Sequence, residues 1–467
     1  MISDLKKHGA YSDTGLTWLP EMPSHWSLQR LKNYVSNTTK QIVWNSDQPY
    51  LALENVESWT GKIRQIEVEE VGTVVKQYKA GDVLFSKLRP YLAKVVQAKN
   101  TGTCVGEFLV LRPDINRIDG TYLEYLLRSK EVINEINSST FGARMPRAEW
   151  AFIGGMRIAV PPLDEQLLIA RLATYVDIKL STYIGNKQRL LRLLNEQRQS
   201  IIRSALSGSR SPNTKRKYSG TDWLGTIPDH WEIRSLASLL TPRSERGAAE
   251  LPLLSVLREK GVVLRSTLNK NENHNFIPDD LSNYKVARRG DLVINKMKAW
   301  QGSLGVAPQD GIVSPAYYVF QLNVENRDFS EMLLRSSAYV GMFARVSEGV
   351  RIGQWDLSID GMKRIPVIVP PPDEQEKIVA YVQEATTTNR TVSEKITREI
   401  MLLKEYRGRL IEDLVLGRLS ALHFADAIPD EILANTNLLD ESQDLGYDDD
   451  IEETDSIAEI ETEDTAI

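Results

Sequence analysis

The stretch Trp223-Leu-Gly-Thr-Ile-Pro-Asp-His230-Trp231 decides how this chain is organised, because a degenerate copy stands 205 residues earlier as Trp18-Leu-Pro-Glu-Met-Pro-Ser-His25-Trp26. Two further motifs recur in the same order at an offset of 209 residues. They are Gly81-Asp-Val-Leu-Phe-Ser-Lys87 with Gly290-Asp-Leu-Val-Ile-Asn-Lys296, and Pro161-Pro-Leu-Asp-Glu-Gln166 with Pro370-Pro-Pro-Asp-Glu-Gln375. Such a repeat is far longer than a solenoid repeat of roughly 20–50 residues, so each copy is expected to form a domain.

Each copy has the pattern of an α+β domain followed by a long helix. Short apolar runs such as Val83-Leu-Phe and Leu292-Val-Ile indicate strands, and Thr121–Arg128 has helical spacing. After each double proline the pattern turns helical, with Asp and Glu in the first turn, where the exposed N–H groups favour negative charge. The two helical stretches end before Gly208 and Gly417. Each helix would be about 65 Å long at a rise of about 1.5 Å per residue.

The predicted organisation is therefore domain, helix, domain, helix. We expect the two helices to pack antiparallel, since one exposed helix of this length buries too little apolar surface to be stable. That packing would relate the halves by a pseudo-two-fold axis and place the domains at opposite ends of a helical spacer. The predicted bounds are a first domain over 1–163, a spacer helix over 164–207, a linker over 208–217, a second domain over 218–372 and a second spacer helix over 373–418.

Charge is distributed unevenly along the 467 residues. The segment 425–467 contains 16 of the 63 Asp and Glu residues and no Lys or Arg, and we predict that it is a disordered tail. The preceding residues carry an excess of about ten positive charges, which suits a polyanionic partner. No apolar run approaches the roughly 20 residues of a membrane span. The single cysteine, Cys104, excludes an internal disulfide and favours a reducing cytoplasm.

Motifs of catalysis and cofactor binding are missing from the sequence. There is no glycine-rich phosphate loop and no Gly-x-Gly-x-x-Gly after a strand, and none of the five histidines has metal-site spacing. We therefore predict no catalytic residue, no cofactor and no metal. His25 and His230 adjoin Trp26 and Trp231, and no carboxylate recurs near them in sequence, so a structural role is predicted for both histidines.

Cationic and aromatic residues recur after each Gly-Asp pair. Lys87, Arg89 and Tyr91 match Lys296, Lys298 and Trp300, and a later loop, Gly142-Ala-Arg144-Met-Pro-Arg147, matches Gly349-Val-Arg351-Ile-Gly-Gln354. Such sets fit phosphate contacts and base reading in a groove. The alternative is that these cations are solvated or pair with local acids. The candidate DNA-binding residues are Lys87, Arg89, Tyr91, Arg144, Arg147, Lys296, Lys298, Trp300, Arg351 and Gln354.

Together, the three pairs of motifs resemble the specificity subunit of type I restriction–modification enzymes, over residues 11 to about 419. The resemblance implies two target-recognition domains that each read half of a bipartite DNA target. It also implies that the spacer helices dock two adenine-methyltransferase subunits, that motor–nuclease (restriction) subunits join the complex, and that this chain does no chemistry. The domains differ between their shared motifs, as in Phe108–Pro113 against Tyr317–Leu322, so we expect a non-palindromic target.

Two points stay open from the sequence. Apolar residues left over on a second helix face, namely Leu190, Leu193, Met401 and Leu402, are predicted to contact the methyltransferase. The alternative function is a stand-alone regulator that binds DNA or a protein and recruits no enzyme.

Overall fold

A computed structural model of the chain describes residues 5–45, 48–64, 71, 73–140, 145–208, 214–267, 280–351 and 354–424. The predicted tail, 425–467, lies outside these residues. The chain divides into two compact units. Unit 1 comprises residues up to Gln188 together with those from Arg398 onward, and unit 2 comprises Arg189–Thr397. The α+β class with two long helices, Leu163–Leu206 (α4) and Pro372–Val415 (α8), is confirmed.

Unit 1 is a set of small, mostly antiparallel sheets with short helices. Its first helix, Gly120–Arg128 (α1), starts where the carboxylate of Asp119 accepts a hydrogen bond from the backbone N–H of Tyr122 at 2.8 Å. In chain order the elements are β1 (Tyr11–Asp13), β2 (Glu21–Pro23), β3 (Ser27–Arg30), β4 (Val35–Thr38), β5 (Gln41–Val43), β6 (Tyr50–Leu51), β7 (Val74–Tyr78), β8 (Val83–Ser86), β9 (Val95–Gln97), β10 (Gly102–Cys104), β11 (Phe108–Pro113), α1 (Gly120–Arg128), α2 (Lys130–Ser138), α3 (Trp150–Gly155) and β12 (Arg157–Val160).

Unit 2 repeats much of this order, and Asn326 caps its helix Arg327–Leu334 (α5) as Asp119 caps α1. Its first strand begins at Arg216, inside the predicted linker. The elements are β13 (Arg216–Tyr218), β14 (Thr226–Pro228), β15 (Glu232–Ser235), β16 (Leu240–Pro242), β17 (Leu254–Leu257), β18 (Gly261–Leu264), β19 (Lys285–Ala287), β20 (Asp291–Asn295), β21 (Leu304–Val306), β22 (Gly311–Val313), β23 (Tyr317–Leu322), α5 (Arg327–Leu334), α6 (Ser337–Arg345), β24 (Ser347–Arg351), β25 (Gln354–Leu357), α7 (Ile359–Lys363) and β26 (Pro366–Val369).

One four-stranded antiparallel sheet has the same order in both units. It runs β4-β11-β8-β9 in unit 1 and β16-β23-β20-β21 in unit 2. In β8, Val83 and Phe85 face the larger core of unit 1, while Leu84 faces a smaller core on the other side of the sheet. A strand buried on both faces needs apolar residues at every position, which explains the continuous apolar runs after each Gly-Asp pair.

The Gly-Asp pair itself fixes the start of the central strand. In unit 1 the buried carboxylate of Asp82 accepts two hydrogen bonds from the Arg112 guanidinium, at 2.8 and 2.7 Å, and one from the Lys79 backbone N–H at 2.7 Å. In unit 2 Asp291 accepts in the same way from Arg243 and from the backbone N–H of Arg288. This motif is therefore structural, since its carboxylates are fully engaged.

Within each unit, the start of one long helix packs antiparallel to the end of the other. In unit 1, Lys187 pairs with Glu399 at 3.0 Å, and Arg407 pairs with Asp177 at 3.5 Å. In unit 2, Asn389 donates a hydrogen bond to Gln197 at 3.1 Å. The residue numbers rise on one helix as they fall on the other, as antiparallel packing requires.

The proline–tryptophan motif that opens each domain packs on the end of a long helix. In unit 1, Gly417 follows α8 with a φ of +73°, and a Cβ there would lie 2.6 Å from Pro23 Cδ and 2.9 Å from Trp26 Cη2. In unit 2, Gly208 follows α4 with a φ of +66°, and a Cβ would lie 2.6 Å from Pro228 Cδ. Both glycines are needed for backbone conformation and for close approach.

The histidine of the same motif binds the start of the other long helix. His25 Nε2 lies 2.8 Å from Glu165 Oε2 in unit 1, and His230 Nε2 lies 2.6 Å from Glu374 Oε1 in unit 2. Each histidine therefore has a recurring carboxylate partner, which the neighbouring sequence could not reveal because these glutamates are about 140 residues away along the chain. A structural role fits both pairs, since they join each domain to a helix start.

None of the helices in the described residues has the length and apolar character that crossing a bilayer requires.

Replacing Gly417 by alanine is expected to lower the free energy of unfolding of unit 1 by more than about 1 kcal/mol, because the new Cβ meets Pro23 and Trp26 in a left-handed backbone conformation. The matched control is Gly185→Ala within α4, where nothing lies within 4 Å of the added methyl group and helix propensity should add about 0.5–1 kcal/mol. Urea denaturation followed by circular dichroism measures both. Equal effects of the two substitutions would contradict the role given to Gly417.

Candidate nucleic-acid interface

The candidate basic residues follow the central strand of each unit. In unit 1, β8 ends at Ser86 and leads through Lys87 and Arg89 into a short 3₁₀ turn at Pro90–Leu92. Arg89 has a φ of +48°, and its backbone N–H donates to the carbonyl of Pro146 at 2.8 Å. A non-glycine residue in this left-handed region is uncommon, and such outliers concentrate at functional sites.

A later loop pairs with this segment in both units. The backbone N–H of Ala148 donates to the carbonyl of Lys87, and that of Leu357 donates to the carbonyl of Lys296, each at 2.9 Å. Both members of these bonds differ by 209 residues between the units. The residue that corresponds to Arg147 is therefore Asp356, and the sequence match of Arg147 with Gln354 was wrong by two positions.

Three of the candidate cations form ion pairs with acids of their own unit. Arg147 contacts Glu107 through two nitrogens at 3.2 and 3.3 Å, and Lys87 lies 3.9 Å from the same carboxylate. Lys296 pairs with Asp356 at 3.0 Å. For these residues the alternative of local pairing holds in this structure, although partly exposed pairs of this kind are weak and can be exchanged for a phosphate.

Arg89 and Lys298 differ from these three cations. They occupy corresponding positions, 209 residues apart, and both are partly exposed. Neither side chain forms an ion pair with any residue that the structure describes. Their charges therefore remain available to an anionic ligand, in the same place in each unit.

Tyr91 and Trp300 occupy corresponding positions, but their side chains have different contacts. The side chain of Tyr91 is 44% exposed. Trp300 is held more firmly, because its indole N–H donates to the carbonyl of Met297 at 3.0 Å and its ring lies 5.0 Å from that of Trp355. An exposed ring can stack on a base or sugar, whereas the ring of Trp300 already packs against Trp355.

A lysine that sequence analysis missed lies beside each set. Lys76 donates to the carbonyl of Phe108 at 2.7 Å, and Lys285 donates to that of Tyr317 at 2.6 Å, again 209 residues apart. Burial lowers the pKa of Lys76, and the positive charge of Lys87 lowers it further. Burial likewise lowers the pKa of Lys285, with Arg246 and Lys296 contributing. Lys76 and Lys285 thus add one cation beside each set, which favours an anionic partner.

Three candidates are only partly placed. Arg144 lies outside the described residues. The backbones of Arg351 and Gln354 face each other as the last pair of the β24–β25 hairpin. The structure therefore brings together Lys87, Arg89, Tyr91 and Arg147 in unit 1, and Lys296, Lys298 and Trp300 in unit 2.

Comparison with known proteins finds relatives of one kind. No family model matches the chain. The specificity subunit of the type I restriction enzyme EcoDI from Escherichia coli is 27% identical over 239 residues, which cover 50% of this chain and 51% of that protein. The match thus spans about half the length of that relative. The StySPI specificity subunit from Salmonella potsdam is 21% identical over 347 residues, covering 69% of this chain and 73% of that protein.

A solved structure supports the fold independently. It is a chain from a study of complex assembly and conformational transition in the type I restriction–modification system, with a TM-score of 0.51. The identity is 18%, and the alignment covers 84% of this chain and 98% of that one. The repeated motifs, the two similar units and the agreement among these relatives lead to one conclusion. This chain is similar to the specificity subunits of type I restriction–modification enzymes.

Proposed function

We propose that this chain is the non-catalytic DNA-reading subunit of a type I restriction–modification complex, directing it to a bipartite, non-palindromic target. The observation that supports this most is the recurrence of Arg89 and Lys298 at one position in the two units, with neither charge neutralised by an acid among the residues that the structure describes. A molecule that reads two half-sites needs one such cation set in each reader.

The readers are the domains over 1–163 and 218–372. Lys87, Arg89, Tyr91 and Arg147 would serve one half-site, and Lys296, Lys298 and Trp300 the other. The sets are not identical, since Glu107 pairs with both Arg147 and Lys87, whereas in unit 2 an acid, Asp356, takes the position of Arg147 and pairs with Lys296. Different base sequences in the two half-sites follow from this difference. Arg144, Arg351 and Gln354 remain sequence-based predictions.

The partners are proposed from the family. Methyltransferase and restriction subunits would supply methylation and ATP-dependent cleavage, with two methyltransferase subunits on the helices over 164–207 and 373–418. In unit 1, Met401 and Leu402 on α8 are 64% and 58% exposed. In unit 2, Leu190 and Leu193 on α4 are 41% and 53% exposed. Exposed apolar side chains on a helix favour a protein partner. A cytoplasmic location stays a prediction.

The function is tested by co-expressing the chain with its methyltransferase subunit and mapping methylated adenines by long-read sequencing. We expect methylation at a split, non-palindromic motif that disappears when this chain is deleted. Methylation that persists without the chain, with no subunit co-purifying, would support the stand-alone regulator instead, an alternative for which the relatives offer no support.

Arg89→Ala and Lys298→Ala are each expected to weaken DNA binding by about 1–3 kcal/mol and to reduce the slope of log affinity against log salt by about 1. Each should also relax base preference in one half of the target and leave the other half intact. Fluorescence anisotropy with variant half-sites measures this.

The matched controls are Lys79→Ala and Arg289→Ala, which remove an exposed cation at the opposite end of β8 and of β20. They should change binding little. If the controls weaken binding as much as Arg89→Ala and Lys298→Ala do, the positions proposed for DNA contact are wrong.

Substituting Met401 and Leu402 by serine, or Leu190 and Leu193 by serine, is expected to weaken methyltransferase binding at least tenfold, since buried apolar area at the interface is lost. DNA binding by the isolated chain should not change. The control is Ile115→Ser, which alters a side chain that is 77% exposed but lies off the long helices. Analytical ultracentrifugation of the assembled complex separates the outcomes, and unaltered assembly by both double variants would count against this surface.

A further inference from the structure

Three side chains of unit 1 that could bind a metal ion lie close together although they are far apart in sequence. His8 precedes β1, His25 precedes β3, and Glu165 lies in the first turn of α4. One ligand atom from each lies within 4.8 Å of the others. His25 Nε2 is 2.8 Å from Glu165 Oε2, and His8 Nδ1 is 4.0 Å from Glu165 Oε1. Sequence spacing gave no indication of this cluster, because the fold alone brings the residues together.

One buried polar atom of the cluster lacks a hydrogen-bond partner among the described residues. The side chains of His8 and Glu165 are only 3% and 4% exposed. Oε1 of Glu165, the oxygen that lies 4.0 Å from His8 Nδ1, makes no hydrogen bond within the part of the chain that the structure describes. Unsatisfied buried groups of this kind are rare in folded proteins and call for a missing partner.

In unit 2 the corresponding glutamate uses both of its oxygens in hydrogen bonds. There Glu374 accepts from His230 through Oε1 and from the Trp231 indole N–H through Oε2, at 2.6 and 2.9 Å. In unit 1 the indole nitrogen of Trp26 has no partner among the described residues, so the second oxygen of Glu165 is not used in this way. The residue 205 positions after His8 is Asn213, which offers no imidazole.

We propose that His8, His25 and Glu165 form a binding site for one divalent transition-metal ion, of the class of Zn²⁺. Two imidazoles and one carboxylate are a common ligand set for this class, whereas Ca²⁺ and Mg²⁺ prefer oxygen ligands only. His25 is 45% exposed on its side chain, so water can reach the fourth position. His8 and Glu165 supply the buried side of the site.

The ion would tie three parts of unit 1 to one point. The segment before β1 already contacts the end of α8, since Ser420 N–H donates to the Lys6 carbonyl at 2.8 Å and Tyr11 Oη donates to the Gly417 carbonyl at 3.2 Å. Coordination by His8 and Glu165 would link that segment to the start of α4 as well. The role is structural and is independent of the DNA-reading function proposed above.

The test uses the full chain, stripped with a chelator and titrated with ZnCl₂ by isothermal calorimetry. We expect one high-affinity ion per chain and a higher melting temperature when Zn²⁺ is added. His8→Asn and His25→Gln should each weaken binding by at least about tenfold, because even the loss of an outer-shell partner costs about 10–100-fold. His230→Gln, which removes the histidine of the corresponding pair in unit 2, is the matched control and should bind as the parent chain does.

A variant that replaces one metal-binding side chain by another controls for loss of binding caused by misfolding. His8→Cys keeps a metal ligand at this position, so it should bind Co²⁺ with a new thiolate-to-cobalt charge-transfer band that the parent chain lacks. The native Cys104 is buried and does not supply that band. No Zn²⁺ binding by the folded parent chain would overturn the proposal, and so would equal affinities in the His8, His25 and His230 variants.

Discussion

The contact on which both units depend is the packing of a proline–tryptophan pair against the glycine that ends a long helix. Pro23 and Trp26 cover Gly417, and Pro228 packs on Gly208. In each unit the neighbouring histidine bonds the first turn of the other long helix, through Glu165 or Glu374. One nine-residue motif therefore holds the end of one helix and the start of another against a single domain. The domain's position on its helices follows from these few contacts.

The basic segments are built onto that frame by the central strand. Asp82 and Asp291 fix one end of the strand through bidentate arginine contacts, and the cations extend from the other end. Nearby acidic residues pair with some of these cations, and the unpaired cations remain available to a ligand. Glu107 and Asp356 each pair with the corresponding lysine, but Arg147 in unit 1 is replaced by Asp356 in unit 2, so similar scaffolds present different charge patterns. A difference of this kind suits readers of unlike half-sites.

Much of the fold could be predicted because its signals are local. The double prolines and the glycines mark the long helices to within about three residues, since breakers and caps act over one turn. The contacts of the basic residues could not be predicted in this way. Glu107 meets Arg147 across 40 residues, and Lys76 meets the carbonyl of Phe108 across 32, so only the folded sheet brings them together.

The misplaced match of Arg147 came from aligning the loops on their glycines. That alignment gives an offset of 207 residues, whereas the backbone hydrogen bonds of Ala148 and Leu357 give an offset of 209. The repeated lysines at 76 and 285 carried a usable signal, the common offset of 209, but they stand in short strands without an adjacent motif.

The left-handed backbone at Arg89 lowers the stability of the first domain at a residue proposed to contact DNA. Glycine would adopt the φ of +48° without the steric cost that a side chain imposes, so folding alone favours glycine at this position. Under the proposed DNA-reading role, an arginine at this position keeps a cation for the ligand and gives up part of the domain's stability. Lys298 holds its charge at a φ of −124°, with no such cost. The two readers therefore differ in how much their folds can gain from mutation at this position: the first can become more stable only by losing its cation, whereas the second is under no such tension.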